Sequence, residues 1–333
     1  MKAVRCIALG GPESLVVADH EPIEPGPEEV EIRVHAASVN FADVLIIAGK
    51  YQAKPPLPFT PGMELAGRVM RLGTAVRNLS PGDRVAATVT WGAFGDTATV
   101  PVDRVIRLKE GISFTTAAAF PLAYSTAYHA LATRGRLVAD EQVLVLGAAG
   151  GVGLAAVEIA KCLGARVIAA ASSEQKLEIC ASRKADLLVN YADSALRDAL
   201  RELKVVPDVV LDVVGGPHAE AALRSLGWRG RYLAVGFAGG EIPRFPANLA
   251  LLSEREILGV YWGEYAKRYP AERQLIADRL MEWIAAGKLR PEISRSFPLE
   301  RAPEAMRLVA DRGVIGKVVL QTTADQNVPV PIR

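Results

Sequence analysis

Cysteine is scarce in this sequence: Cys6, Cys162 and Cys180 are the only three, scattered through 333 residues. That excludes a disulfide framework and a Cys-x-x-Cys metal or redox site, and it leaves the three as small buried hydrophobes. An excess of charge of one sign is missing too. Lys and Arg number 39 against 37 Asp and Glu, a formal net charge of +2, so there is no basic surface on the scale that nucleic-acid binding requires. A small molecule is the expected ligand. Long apolar runs are also absent from the start, because "MKAVRCIALGGPE" breaks at Gly10-Gly11-Pro12 before a signal-peptide core or a membrane-spanning length develops. The expectation is a cytoplasmic protein with neither a membrane nor a nucleic-acid partner. His20, His35, His129 and His218 show no ligand spacing and receive no catalytic role.

Half of the residues are apolar, and the chain is long enough for about two domains with cores of their own. The first part carries short runs rich in β-branched residues and punctuated by Gly and Pro: "EVEIRVHAAS", "ELAGRVMRLG", "GDRVAATV" and "DTATVPVDRVIRL". It reads as mostly β. From about Tyr124 the rhythm changes to apolar strands separated by helical patterns: "VLVLG", "RVIAAA", "LLVNY", "DVVLDVV", "RYLAVG" and "ILGVYW". Near-continuous apolar character suits strands covered on both faces, and alternation with helices predicts a parallel sheet built from βαβ units. Six such strands are what a full dinucleotide-binding sheet needs. Further on, "AERQLIADRLMEWIAAGKL" predicts a helix with Ile276, Leu280, Trp283 and Ile284 on one face and Gly287 as its stop. "GKVVLQ" reads as one more strand, and Thr322 to Arg333 as a loosely held tail.

The segment "VLVLGAAGGVG", Val143 to Gly153, places glycines between a strand and a helix that runs through "LAAVEIAKCLG" to a stop at Gly164. In a Rossmann βα turn such glycines allow the tight turn, the close approach of a pyrophosphate and the packing of helix on strand. Phosphate then sits at the helix N-terminus, where unpaired N–H groups and the macrodipole favour negative charge. The pattern departs from G-x-G-x-x-G, since Ala148 holds the first position and Gly150 and Gly153 the second and third. Its context, after a strand, opening a helix and followed by a second strand, supports a dinucleotide site over glycines that serve packing alone.

The second strand bears on which nicotinamide cofactor is bound. An NAD site usually ends this strand with an acid for the ribose 2′-hydroxyl, whereas here it ends in Ala170-Ala171-Ser172-Ser173. Small hydroxyl residues leave room for a 2′-phosphate, and Lys176, one turn into the next helix, is placed to meet its charge. NADPH is therefore the expected cofactor. Glu174 competes with that reading but fits better as a first-turn helix acid.

With "FTPGMELAGRV", "GDRVAA", "PLAYSTAYHAL", the glycine segment and "GKVVL" together, the chain resembles the medium-chain dehydrogenase/reductase superfamily nearly end to end. Within it the sequence is similar to the zinc-independent quinone oxidoreductase branch that includes zeta-crystallin. The resemblance implies an α/β fold in which a Rossmann doubly wound parallel sheet, residues 122–262, is inserted in a GroES-like β-barrel catalytic domain. That domain would be built from residues 1–121 and a return segment, 263–333, with the active cleft between the two domains. It also implies a homodimer joined edge to edge through "ILGVYW". Zinc-dependent members use a Cys and a His where this chain has Asn40 and Met63, neither a credible zinc ligand.

Without a metal the acceptor must be electron-poor already, a quinone or an alkene conjugated to a carbonyl, so that a hydrogen-bond donor can stabilise the charge arriving with hydride. By resemblance Asn40 and Thr126 lie near the nicotinamide. Gly150, Gly151 and Val152 meet the pyrophosphate, and Ser172, Lys176 and Tyr191 surround the adenosine phosphate. Gly236 and Phe237 follow the cofactor, with Trp262 and Lys317 as further cofactor candidates. Asn40, Tyr51 and Asp43 are the catalytic candidates: Tyr51 as a pocket phenol able to donate to an oxyanion, Asp43 as the group orienting the Asn40 loop or capping its helix. Leu45 stands where some relatives carry a second tyrosine, which points to a more apolar pocket. Two alternatives stay open, an enoyl-thioester reductase with the same hydride chemistry and an NADPH-binding protein with little turnover.

Overall fold

The first part folds as β1 (Lys2–Cys6) and β2 (Leu15–Asp19), and its β-rich patterns as β3 (Glu29–Val39), β4 (Glu64–Leu72), β5 (Arg84–Thr88), β6 (Thr97–Pro101) and β7 (Val105–Arg107). The apolar runs of the middle form β8 (Gln142–Leu146), β9 (Arg166–Ala171), β10 (Leu187–Asn190), β11 (Val209–Asp212), β12 (Arg231–Ala234) and β13 (Glu256–Gly259). Near the end lie β14 (Ile293–Pro298) and β15 (Lys317–Gln321). The computed structural model describes residues 1–21 and 23–322. Of the tail expected from Thr322 to Arg333, Thr322 is buried and donates its N–H to the His35 carbonyl at 3.2 Å, and the rest lies outside the described residues.

The chain divides into two compact units, Met1–Leu122 with the segment from Ile293 onward, and Ala123–Glu292. In the first, strands follow the order β14-β15-β3-β4-β5-β7, with β6 also paired to β3. β3 is the axis of this sheet, and Val30, Ile32, Val34, Ala37 and Val39 are all buried in one core with Leu65, Val85 and Leu320. The register decides what meets at its end. Val318 pairs with Val39 in antiparallel fashion and Leu65 with Ala37, so Lys317 and Glu64 both arrive beside the residues that leave β3, Ser38 to Asn40.

In the second unit all six strands are parallel and run in the order β10-β9-β8-β11-β12-β13. Numbered along this unit the order is 3-2-1-4-5-6, the Rossmann arrangement, in which ligands bind outside the carboxyl ends of the strands where the order reverses. Val143, Leu144, Val145 and Leu146 are fully buried, as strands covered on both faces require.

One boundary differs from the sequence expectation. Residues 263–292 belong to the second unit and not to the return segment, which starts at Ile293. The helix Pro270–Ala285 buries Ile276, Leu280 and Ile284, the Trp283 ring packs tilted against Tyr128 with centroids 5.9 Å apart, and the Arg290 N–H donates to the carboxylate of Glu158 at 3.2 Å. That carboxylate also accepts from the Tyr124 hydroxyl at 2.5 Å, and burial raises its pKa. Gly287 ends the helix region at φ +67, as expected. "DTATVPVDRVIRL" is not one strand but two, split by a short helical turn at Val102–Arg104. β1, β2 and β14 had no sequence expectation; β14 shows only Phe297 fully buried, too little alternation to read.

Candidate functional site

Two groups of polar residues stand out, one in each unit. At the end of β3, Asn40 caps the helix Phe41–Ile47, and its backbone N–H donates to Asp43 Oδ2 at 2.8 Å. Orienting the loop and capping the helix are thus one contact. Asp43 is fully buried, which pushes its pKa up to about 7 against the opposing pull of the Asn40 N–H and Lys317. The Asn40 amide turns inward: Nδ2 donates to Glu64 Oε1 at 3.0 Å and to the Ser38 carbonyl at 3.3 Å, and Oδ1 accepts from Lys317 Nζ at 2.5 Å. Lys317 Nζ also donates to Glu64 Oε1 at 2.9 Å, and the other oxygen of Glu64 accepts the Leu122 N–H at 2.8 Å. Lys317 is 5 % exposed and Glu64 not at all, so the two form a buried ion pair with Asn40 closing a three-membered ring of hydrogen bonds. Tyr51 is half-buried in the loop after the helix and packs against the apolar core of this unit, as does Met63.

In the second unit the chain turns at Gly147, φ +67, and enters the helix Gly151–Cys162 through Gly150 at its N-cap. Gly147, the residue that bears the left-handed backbone, was not singled out in sequence; its signal was only its place directly after the strand. A Cβ on Gly153 would stand 2.1 Å from the Gly147 carbonyl oxygen, so helix-strand packing demands glycine there. Gly150 differs. A Cβ there would meet nothing nearer than 3.4 Å, so no neighbour within the chain explains its lack of a side chain. No side chain caps this helix, and the N–H groups of Gly151 and Val152 head its first turn, the arrangement that suits an anion.

After β9, Ser173 caps the helix Glu174–Ser182, and Lys176 Nζ reaches back to donate to Ser172 Oγ at 3.0 Å. The Tyr191 hydroxyl is hydrogen-bonded to the same serine, while burial raises its pKa. Ser172, Lys176 and Tyr191 are therefore gathered at one strand end. Glu174 accepts from Asn190 Nδ2 at 3.0 Å, consistent with a first-turn helix acid. The loops after β11 and β12 are tied together: Gly236 donates its N–H to the Asp212 carbonyl at 3.2 Å, and Gly239 to that of Val214 at 2.6 Å. Phe237 is 38 % exposed on the second of these loops. The side chain of Asp212, missed in sequence, accepts the N–H of Val214 at 2.7 Å and of Gly215 at 2.9 Å, and the hydroxyl of buried Tyr232. Thr126 is half-buried in the helix Pro121–Tyr128. Trp262 packs among aromatic rings, 5.8 Å from His129 and 6.1 Å from Tyr265, and burial lowers the His129 pKa to about 4.

Residues 26–110 match the alcohol dehydrogenase GroES-like domain family, and residues 151–278 match the family described as zinc-binding dehydrogenase. The quinone oxidoreductase-like protein 2 of Mus musculus is 38% identical over 322 residues, covering 96% of this chain and 91% of that protein. A quinone oxidoreductase of Pseudomonas aeruginosa is 36% identical over 326 residues, covering 96% and 99%. Among solved structures, the Escherichia coli quinone oxidoreductase complexed with NADPH superposes with a TM-score of 0.90 at 29% identity, covering 96% of this chain and 100% of that one.

The residues present do not suit the zinc in that family's description. The Asn40 amide is engaged on both sides, the Met63 thioether packs on the core, and the Lys317 ammonium already stands against Glu64. Among the described residues no three His, Cys, Asp or Glu side chains are placed to hold a metal ion. With its GroES-like and Rossmann parts matched to both families, and whole-length relatives well above 30% identity, the chain belongs to the quinone oxidoreductase type of the medium-chain dehydrogenase/reductase superfamily.

Proposed function

We propose that this protein is a zinc-independent, NADPH-dependent reductase that delivers hydride to a quinone or an α,β-unsaturated carbonyl. The observation that carries the reading is the grouping of Ser172, Lys176 and Tyr191 at the end of β9. Hydroxyls and an ammonium there suit a 2′-phosphate, and Glu174, the acid that follows Ser173 in the chain, is engaged by Asn190. The open position at Gly150 and the uncapped helix start fit a pyrophosphate against the backbone. NADPH supplies hydride from nicotinamide C4 when bound. The chain's own task is to hold the acceptor and stabilise the negative charge that reaches its oxygen. Both Asn40 amide protons are taken by Ser38 and Glu64, so Asn40 shapes the pocket and Tyr51 is the candidate whose hydroxyl donates to that oxygen.

The test is NADPH consumption with a panel of quinones, enones and enoyl thioesters, run in parallel with NADH. Turnover of quinones or enones with NADPH preferred is expected. Turnover of none of them overturns the reading, and preference for the thioesters would assign the protein to acyl reduction instead.

We further propose that two copies pair through β13. It is an edge strand of the sheet, and Ile257 on it and Tyr261 just beyond are 43% and 51% exposed. Among the described residues no helix is long and apolar enough to cross a membrane.

A further inference from the structure

The ring of Asn40, Glu64 and Lys317 joins segments far apart in the chain, and one more segment is attached to it. Glu64 Oε1 accepts from both Lys317 and Asn40, while Oε2 accepts the N–H of Leu122 in the first turn of the helix Pro121–Tyr128. That helix carries Thr126. A carboxylate at its start meets an unpaired backbone donor and the positive end of its dipole. The Asn40 amide orientation is also chemically forced, since an ammonium only donates and a carboxylate only accepts. Oδ1 must face Lys317 and Nδ2 must face Glu64. For stability alone, a buried ion pair is often no better than well-packed apolar residues of similar volume, so the pair calls for another explanation.

We propose that Glu64 and Lys317 are positioning residues: the Glu64 carboxylate fixes the start of the helix that bears Thr126 and, with the Lys317 ammonium, locks the orientation of the Asn40 amide. The inference rests on the functional reading above only in that the resemblance assigns Asn40 and Thr126, each in its own unit, a part in holding the nicotinamide. Lys317, a cofactor candidate in the sequence, is buried and its ammonium donates to Asn40 and Glu64, so it is assigned here to act through Asn40 and not on the cofactor directly. Glutamine cannot replace Glu64, because its single oxygen can satisfy one side of the junction while its amide group turns donors toward donors on the other.

The double variant Glu64→Gln/Lys317→Met removes both charges together and so avoids leaving one buried alone. Its kcat is expected to fall by at least about tenfold while the NADPH dissociation constant stays within about threefold, because the phosphate-binding residues are untouched. A kcat within about threefold of the parent overturns the proposal. Should the double variant fail to fold, Glu64→Asp gives the same test: it keeps the charge but is one methylene too short to serve Leu122 and Lys317 at once. Its kcat is expected to fall at least about fivefold with NADPH binding retained, and a parent-like kcat again overturns the proposal.

Hydrogen exchange at the Leu122 amide reads the same junction without any turnover. Exchange in Glu64→Asp is expected to speed up by about tenfold or more there while amides of β9 keep their rates. Unchanged protection at Leu122 sinks the positioning role even if the parent proves an active reductase. An inactive parent with accelerated exchange in the variant would instead sink the functional reading and leave the positioning role standing.

Discussion

Single side chains separate cofactor recognition from folding most sharply. Lys176 meets Ser172 and no carboxylate of the core, so Lys176→Ala is expected to leave the fold intact and weaken NADPH by about 1–3 kcal/mol, the scale of a charge-assisted hydrogen bond. NADH should lose far less; equal losses in parallel fluorescence titrations would remove Lys176 from the phosphate site. Asp43 makes a different prediction. With its folded pKa pushed up to about 7, the native state holds a proton that the unfolded chain releases near the ordinary carboxylate value of about 3.9. The associated stability is complete below about pH 4 and is lost as pH rises through about 7, on the order of a few kcal/mol in total. Asp43→Asn keeps an oxygen for the Asn40 N–H and should flatten that decline; a chemical-denaturation series across this pH range that matches the parent's slope would contradict it. Residue identity was enough to propose Lys176 and Ser172 for the phosphate site. It did not reveal Glu64, which "GMELAG" offers with no mark of its burial against a lysine 253 positions away.

The βα turn between β8 and its helix shows at the level of elements why glycines with similar spacing do different work. Gly153→Ala drives a methyl group into the Gly147 carbonyl, so it should destabilise the protein by about 1–3 kcal/mol or more as an overpacking change, with lost cofactor binding as a consequence. Gly150→Ala has space in the free chain. Its thermal midpoint should stay within a few degrees of the parent's while NADPH affinity drops, for the added carbon lies where the pyrophosphate would approach. A drop in stability equal to that of Gly153→Ala would show that Gly150 serves packing after all. The turn was legible because strand, glycines and helix follow one another locally. The first-unit strand β14 was not, since its mostly exposed residues blur the alternation on which such a reading depends.

For the whole molecule, the assignment of residues 263–292 to the Rossmann unit bears on assembly. β13 and the helices after it form one continuous part of that unit, with β13 left at the sheet edge. Ile257→Lys places a charge on that edge and should convert a dimer to monomers in sedimentation or light scattering, with the fold of each unit preserved. An unchanged mass would move the proposed interface elsewhere. The resemblance alone put the return point at residue 263, and it failed there because an amphipathic helix can cover any apolar surface. Whether the helix Pro270–Ala285 packs beside Tyr128 or returns to the first sheet depends on contacts distant in sequence.

The linear order of residues determined the architecture of the nucleotide-binding half, its cofactor chemistry and the unsuitability of Asn40 and Met63 as zinc ligands, because these depend on local periodicity, turn geometry and side-chain type. The tertiary fold alone decided that Lys317 neutralises Glu64, that Asn40 spends its amide inside the protein, and that the Leu122 N–H ends on a carboxylate. Those outcomes follow from antiparallel strand register, which brings β15 and β4 to the end of β3 from opposite ends of the chain. Burial then makes each charge depend on its partner, a dependence that residue spacing does not encode.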